Sequence, residues 1–491
     1  MKEIRINHSE IERDFLDHVG LKENNRIFFT APFGTGKSTF LQEVFYNNEN
    51  YFTIKLFPVN YSVSANEDVF ELIKFDLLIE LLGNFKEEIN LEKEDFSTLL
   101  MSQMFVLKEL KLTPIIFAIL KQCGKIGKSA VDIIKEVKKQ YADFKSKMQD
   151  TGEIDIFSFL NLIQNQKGNE HEMDSVSTLI KNLVCRIKEK NKKQSVLIID
   201  DLDRLDPDHT FRLFNIFSAH FKEIDNTNKF AFDKVIFVCD LENIRKIFQH
   251  KYGADIDFVG YSDKFFSLVP YEFDNRKYIK EKAEDIYAAI EFGRYITWMK
   301  DDGKFFKIVL AIINSLIQVR LLNLRMLLQY PGLNVDEHYF GNKEIKNESI
   351  LENPLIIVFY LLKNFYSSFS ELRLKFKFLS EFLNESEFSS STIVTRSDSK
   401  TIIKNLITFS LPFLLSEEKL SEDIRSGSRT YFLERFDCTI HYEGIFNSSY
   451  LHKNFIKATV GNKEDSATIQ LNPYKVLIDV FDTCQKLGAF K

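Results

Sequence analysis

The stretch Thr30-Ala-Pro-Phe-Gly-Thr-Gly-Lys-Ser-Thr39 decides the fold. An apolar run, Ile27-Phe-Phe29, leads into it, and Thr39-Phe-Leu-Gln-Glu-Val-Phe45 leads out with helical spacing. Strand, glycine-bearing loop and helix in that order form a phosphate-binding loop. Glycines let the backbone wrap closely, so that successive N–H groups turn inward onto an anion. The helix start adds more free N–H groups and the positive end of its dipole. The residues expected to line a polyphosphate are Phe33, Gly34, Thr35, Gly36, Lys37, Ser38 and Thr39. In such a loop the lysine, Lys37, reaches the β- and γ-phosphates and the hydroxyl of Ser38 ligates Mg²⁺. One position departs from the G-x-x-x-x-G-K-[ST] pattern, where Ala31 replaces the first glycine. If that residue needs a positive φ, its Cβ costs roughly 1 kcal/mol. A chance Gly-Thr-Gly-Lys-Ser turn is the competing reading, and the strand before and helix after weigh against it.

A second motif supplies what the loop needs as a partner. In Ser195-Val-Leu-Ile-Ile-Asp-Asp-Leu-Asp-Arg-Leu-Asp206, four buried-type aliphatics place Asp200 at the carboxyl end of a central strand. Ligands bind at that edge in open α/β sheets. From there the Asp200 carboxylate can hold the hydration shell of Mg²⁺ opposite Ser38. Asp201, one residue on, offers a second carboxylate that can orient and polarise an attacking water. Hydrolysis needs that second group; nucleotide binding alone does not. An acidic turn after a strand is common for one aspartate and a poor account of Asp200-Asp201-Leu-Asp203-Arg204 behind a phosphate loop.

Around these motifs the periodicity predicts a helix from Ser9 to Val19, a strand at 26–30 and a second strand over Tyr51–Phe57, which runs into a turn at Pro58-Val-Asn-Tyr-Ser62. A helix from Val69 to Leu82 follows. Strand and helix alternating at these spacings indicate a parallel sheet of α/β type. Residues 84–174 read as a helical insertion between strands two and three. The pattern resumes with a helix at 175–191, the Asp200 strand, a helix at 208–223, a strand over Lys234–Asp240 and a helix over Leu241–His250. Phe265-Phe-Ser-Leu-Val-Pro270 suits the final strand. From 274 the periodicity is helical through 330 and again over 353–386, and the Ser-rich stretches at Ser389 and Ser397-Asp-Ser399 mark a linker. The expected domains are an α/β core at 1–273, a helical lid or extension at 274–388 and a C-terminal α+β region at 389–491, where helix mixes with strand-like pieces such as Ala467–Leu471.

Composition bounds the function classes. The 491 residues are enough for two or three domains, and 44% hydrophobic with 28% charged residues describes an ordinary globular chain. A net charge of −6 argues against a surface built globally for nucleic acid or anionic membrane. Forty-eight phenylalanines are many, but a biased genome gives the same excess, so they carry no functional weight here. Cys123, Cys185, Cys239, Cys438 and Cys484 are scattered and odd in number, which reads as reduced thiols of a cytoplasmic protein. The longest apolar runs, Leu112–Leu120 and Pro354–Leu362, are about half the ~20 residues of a spanning helix, so no transmembrane segment is expected. Between Lys121 and Lys147 eight lysines face Asp132, Glu136 and Asp143, a net of +5. A solvated helix face is the favoured reading of that stretch. Peripheral membrane or partner contact through 112–147 is the alternative.

Together these pieces resemble the KAP family of P-loop NTPases, an ASCE-division group related to AAA+ and STAND ATPases. The resemblance rests on Phe33-Gly-Thr-Gly-Lys-Ser-Thr39, Val59-Asn-Tyr61, Ile198-Ile-Asp-Asp-Leu-Asp-Arg204, Phe237-Val-Cys-Asp240 and Phe265-Phe-Ser-Leu-Val-Pro270, and it covers roughly residues 5–335. Departures are Ala31, Tyr61-Ser62 in place of Ala-Trp, and the lack of the membrane-spanning insertion typical of many members. The resemblance implies ATP and Mg²⁺ as ligands, with hydrolysis driving a conformational change. It implies a polar sensor at Asp240, against a plain strand-end turn, and a lid cation for the γ-phosphate at Arg325, with Arg320 as runner-up. Arg325 lies in an apolar run, Leu321-Leu-Asn-Leu-Arg-Met-Leu-Leu328, where a guanidinium must be paired or reach a polar cleft. Arg204 reads as a structural partner of Asp203 or as a finger facing a neighbour. Bacterial members are associated with phage exclusion and related conflict systems, which implies a defence or sensing role. Self-association or an unknown protein partner is expected, and the sequence carries no strong nucleic-acid signal. No Ser/His/Asp, Cys/His or H-E-x-x-H grouping points to a second chemistry. A P-loop kinase and a nucleotide-gated interaction module with little turnover are the alternatives.

Overall fold

The computed structural model describes residues 8–46, 48–58, 69–85, 175–218, 228, 230–290, 302–330, 353–384, 388, 396–415, 427–444, 455–461 and 471–490. The expected insertion from 86 on, its Leu112–Leu120 run and lysine stretch, the Val59-Asn-Tyr-Ser62 turn and nearly all of Ala467–Leu471 lie outside them. The described chain divides into two units. One comprises Ser9–Pro32 and Lys37–Phe273; the other comprises His8 and Phe33–Gly36 together with the chain from Asp274 onward.

The first unit is an α/β sheet protein. It runs α1 (Ser9–Gly20), β1 (Arg26–Thr30), α2 (Lys37–Phe45), β2 (Tyr51–Leu56), α3 (Val69–Asn84), α4 (Ser175–Asn191), β3 (Gln194–Ile199), α5 (Pro207–Ser218), β4 (Lys234–Cys239), α6 (Leu241–Tyr252), α7 (Phe258–Ser262) and β5 (Tyr271–Glu272). The strand order is β2-β3-β4-β1-β5, and every pairing is parallel. A parallel sheet is covered on both faces, so its strands are apolar throughout rather than alternating. β4 is buried along its whole length and β3 after its first residue.

β1 shows how the sequence satisfies both faces. Successive side chains of a strand point opposite ways, so Phe28 and Phe29 serve different layers. Phe28 packs at 5.1 Å from Phe214 and 5.5 Å from Phe237. Phe29 packs against Phe15 of α1 (5.0 Å), Phe40 of α2 (5.7 Å, stacked) and Phe273 (5.3 Å). Such ring pairs contribute about 0.5–1.5 kcal/mol each beyond area burial. The abundant phenylalanines thus clamp α1 and α2 to the strand that leads into the glycine-bearing loop.

The last strand lies later than the sequence suggests. Phe265 ends a 3-10 turn, and the ladder with β1 forms at Tyr271-Glu272, opposite Phe29-Thr30. Ser267 N–H already donates to Arg26 O at 2.9 Å and Phe273 N–H to Thr30 O at 2.9 Å. Between these anchors Val269 bulges out, 70% exposed. Pro270 has no N–H to give the ladder, which is why an apolar run alone was a poor guide there.

The second unit is helical with a small sheet. It holds α8 (Arg276–Glu281), α9 (Ala283–Ala289), α10 (Gly303–Gln318), α11 (Leu324–Leu328), α12 (Pro354–Lys363), α13 (Phe369–Phe382), α14 (Arg396–Leu414), β6 (Gly427–Leu433), β7 (Cys438–Gly444), β8 (Phe455–Gly461) and α15 (Pro473–Lys486). The three strands form an antiparallel sheet in the order β6-β7-β8. One apolar core runs through the unit from Ile279 to Ala489, with α10 buried from Ile308 to Ile317 and α12 from Pro354 to Leu362. Ends are fixed by caps: Asp302, Asn323, Asn353, Ser368 and Asn472 each accept backbone N–H bonds at a helix start. Tyr474 OH donates to Ser315 Oγ at 2.6 Å and Tyr360 OH to Ala489 O at 2.6 Å, so the buried hydroxyls are satisfied. Ser397-Asp-Ser399, expected in a linker, instead lies in the first turn of α14. Short polar residues suit a helix start as well as a loop, and the spacing there did not distinguish the two. Among the described residues no helix is long and apolar enough to cross a membrane.

Candidate functional site

The carboxyl ends of β1, β3 and β4 lie side by side, and the chain leaves each of them at a stretch that the sequence singles out. β1 ends in the loop. Ala31 is buried and donates its N–H to Cys239 O at 3.3 Å. It does not take a positive φ; within the loop that geometry falls on Gly34 (φ 75°) and Gly36 (φ 90°). The expected Cβ penalty at Ala31 therefore does not arise. Lys37 opens α2 with its side chain buried, and its Nζ donates to Ala31 O (2.6 Å) and Pro32 O (3.2 Å). Thr39 is exposed in the same first turn.

β3 ends at Asp200, whose carboxylate is fully buried. Ser38 Oγ donates to Asp200 Oδ2 at 2.6 Å, and Asp201 N–H to Asp200 Oδ1 at 2.8 Å. Sequence reasoning paired Ser38 with Asp200, and the fold brings them into contact. It also brings Lys55 of β2, whose Nζ lies 3.1 Å from the same Oδ2. Lys55 was not anticipated. The signal was present, because a lone cation in Tyr51-Phe-Thr-Ile-Lys-Leu56 needs a partner for the same reason given for Arg325.

Asp201 is strained in a telling way. It sits in the left-handed region (φ 56°, ψ 35°) at the start of a 3-10 turn, Leu202–Arg204. Its Oδ2 accepts from Arg204 Nη1 at 3.1 Å. Arg204 is thus the partner of Asp201 and not of Asp203, as expected from adjacency. In a 3-10 turn residues three apart eclipse one another, whereas adjacent side chains diverge. Asp203 is turned inward, where its Oδ2 accepts Asp240 N–H at 3.0 Å. Burial raises its pKa above the usual carboxylate range, opposed by that hydrogen bond and by the nearby Lys37 charge. Burial likewise pushes the Cys239 thiol up, and the carboxylates Asp203, Asp240 and Asp200 act in the same direction.

β4 leads to Asp240, which caps α6: its Oδ1 accepts from Glu242 N–H (3.1 Å) and Asn243 N–H (3.4 Å). The cap occupies Oδ1 at the strand end. Thr30 Oγ1 accepts from Leu241 N–H at 2.9 Å, tying the ends of β1 and β4 together.

In the second unit, the loop tip is held by its carbonyl oxygens. Asn275, at the head of α8, donates Nδ2 to Thr35 O at 2.6 Å. Asn323, the cap of α11, donates Nδ2 to Phe33 O at 3.3 Å, and Arg325 N–H donates to Gly34 O at 3.1 Å. A Cβ on Gly34 would meet Asn323 Cγ at 2.7 Å, so glycine is required there twice over. The Arg325 side chain itself is exposed, as is that of Arg320. α11 is only five residues long, so the apolar run does not enclose the guanidinium. Both asparagines were missed, although each precedes a helical run in the manner of a cap.

Outside this chain, the description "KAP family P-loop domain" matches residues 9–331, about two thirds of the length. The chain belongs to the KAP family of P-loop NTPases. A search among curated proteins finds no match. Membership makes the KAP domain a nucleotide-binding NTPase domain. Among the described residues no three His, Cys, Asp or Glu side chains come together to hold a metal by themselves. Mg²⁺ is usually held by one or two carboxylates with substrate phosphates and water, an arrangement that needs no such cage.

Proposed function

We propose that this KAP protein binds ATP with Mg²⁺ and hydrolyses it to drive a conformational change. The observation that carries the proposal is the Ser38–Asp200 contact with Asp201 directly beside it. The N–H groups of residues 33–39 would receive the phosphates, and Lys37 would exchange two carbonyl acceptors for phosphate oxygens. A serine hydroxyl and a buried carboxylate fit Mg²⁺, and the Lys55 ammonium on Asp200 Oδ2 marks that oxygen as one that accepts a cation. Bound there, the ion would offset phosphate charge. Asp201 would orient the attacking water and accept its proton, with Arg204 fixing the carboxylate. Asp240 caps through Oδ1, so sensing by Asp240 would fall to Oδ2. Arg325, with an exposed side chain, is proposed as the cation for the γ-phosphate, and Arg320 as its substitute.

The four described cysteines are free thiols, in keeping with a reducing, cytoplasmic setting. A role in bacterial anti-phage defence is proposed on family resemblance alone; unchanged phage plating on cells with and without the gene would dismiss it. The binding claim is tested by Lys37→Ala, which should abolish tight binding of a fluorescent ATP analogue, and equal affinity in the two proteins would refute it. Phosphate release without an added acceptor separates the hydrolase from a P-loop kinase.

A further inference from the structure

Lys55 is the residue at this site that the proposed reaction leaves without a part. It projects from β2, next to β3 in the sheet, and its Nζ lies 3.1 Å from Asp200 Oδ2 and 3.5 Å from Ser38 O. Its side chain is about a quarter exposed, whereas that of Asp200 is fully buried. The ammonium also lies 4.7 Å from the centroid of the Phe57 ring. The cation therefore sits against the two residues assigned to the metal, on the oxygen that Ser38 also touches.

We propose that Lys55 is the internal counter-cation of Asp200 and must be displaced when a divalent ion binds. This inference rests on the reading of Ser38 and Asp200 as the metal site. A buried carboxylate without a compensating positive charge is costly, so the protein needs Lys55 whenever no metal is there. A divalent ion on Oδ2 would meet the ammonium as a like charge at close range, where repulsion is strong. Two positive charges drawn to one oxygen, directly or through the ion's hydration water, compete for it. Lysine suits such an exchange because its charge is a compact point at the end of a flexible stem, and this one already reaches the solvent. Lys55 then sets the metal affinity by competition, and metal arrival frees a positive charge at the edge of the nucleotide site.

The test is Mn²⁺ binding to the full chain with ADP, followed by electron paramagnetic resonance. Lys55→Met should bind Mn²⁺ about tenfold more tightly than the wild type, the factor that corresponds to about 1.4 kcal/mol of removed competition. The metal-free variant should melt at a lower temperature than the wild type, and Lys55→Arg should restore the weaker metal affinity. Equal or weaker Mn²⁺ binding by Lys55→Met overturns the proposal. Should that variant not fold, the wild type decides: acylation of Lys55 by an amine reagent, read by mass spectrometry, should be faster with Mg²⁺ and ADP than with ADP alone. An unchanged rate overturns the proposal. Wild-type protein that binds no Mn²⁺ with ADP removes the metal-site reading itself, and this inference with it.

Discussion

At the scale of single residues, Asp201 combines a strained backbone with a carboxylate held by Arg204. Non-glycine residues in sparsely populated regions cost of order 1–3 kcal/mol and persist where the surroundings fix them. Asparagine tolerates the left-handed region as well as aspartate does, so Asp201→Asn isolates the charge without disturbing the turn. Gly34→Ala makes the opposite case. With φ at 75° and Asn323 in the way, it should lower stability by about 1–2 kcal/mol and weaken nucleotide binding, both readable from urea unfolding and an ATP-analogue titration. The Ser38–Asp200 contact was legible because each residue belongs to a short local pattern with a physical reason behind it. Lys55 was not, because its partner lies on a strand remote in sequence and only the strand order brings them together. Arg204 was assigned to the wrong aspartate because turn geometry, not adjacency, selects the contact.

At the scale of elements, the loop tip shows what regular structure contributes to the site. When the carbonyl oxygens of Phe33, Gly34 and Thr35 are occupied by donors, the loop keeps one set of peptide orientations. Asn323→Ser should keep the α11 cap, since serine accepts the same N–H bond, and yet be too short to reach Phe33 O. With Asn275→Ala, which removes the bond to Thr35 O, it should weaken ATP and ADP binding by about tenfold, corresponding to about 1.4 kcal/mol, and leave adenosine binding unchanged. Competition titrations of the three ligands check this, and an equal loss for adenosine would point to a general disruption. The parallel strands and most of their helices were readable from apolar runs and helical periods, except the short α7 and the last strand, where Pro270 moved the ladder onward. The antiparallel sheet was hinted at only as strand-like pieces, although β7 alternates Cys438, Ile440 and Tyr442 on its buried side.

At the scale of the molecule, stability should respond to mild acid through His18. Burial and the neighbouring Lys234 charge hold its pKa below the usual 6.5, and its buried Nε2 has no hydrogen-bond partner among the described residues. The unfolded chain takes up a proton near pH 6.5 that the folded chain refuses. Stability is therefore fully present above that pH and is lost as the pH falls from 6.5 toward the depressed folded value. Thermal melts at pH 7.5 and 5.5 should show a smaller drop for His18→Phe than for the wild type. Hydrolysis itself is read from steady-state phosphate release from ATP with Mg²⁺, wild type against Asp201→Asn, both at saturating nucleotide. The variant should bind ATP like the wild type and release phosphate about 10²-fold more slowly or worse. Release at the wild-type rate would contradict that expectation.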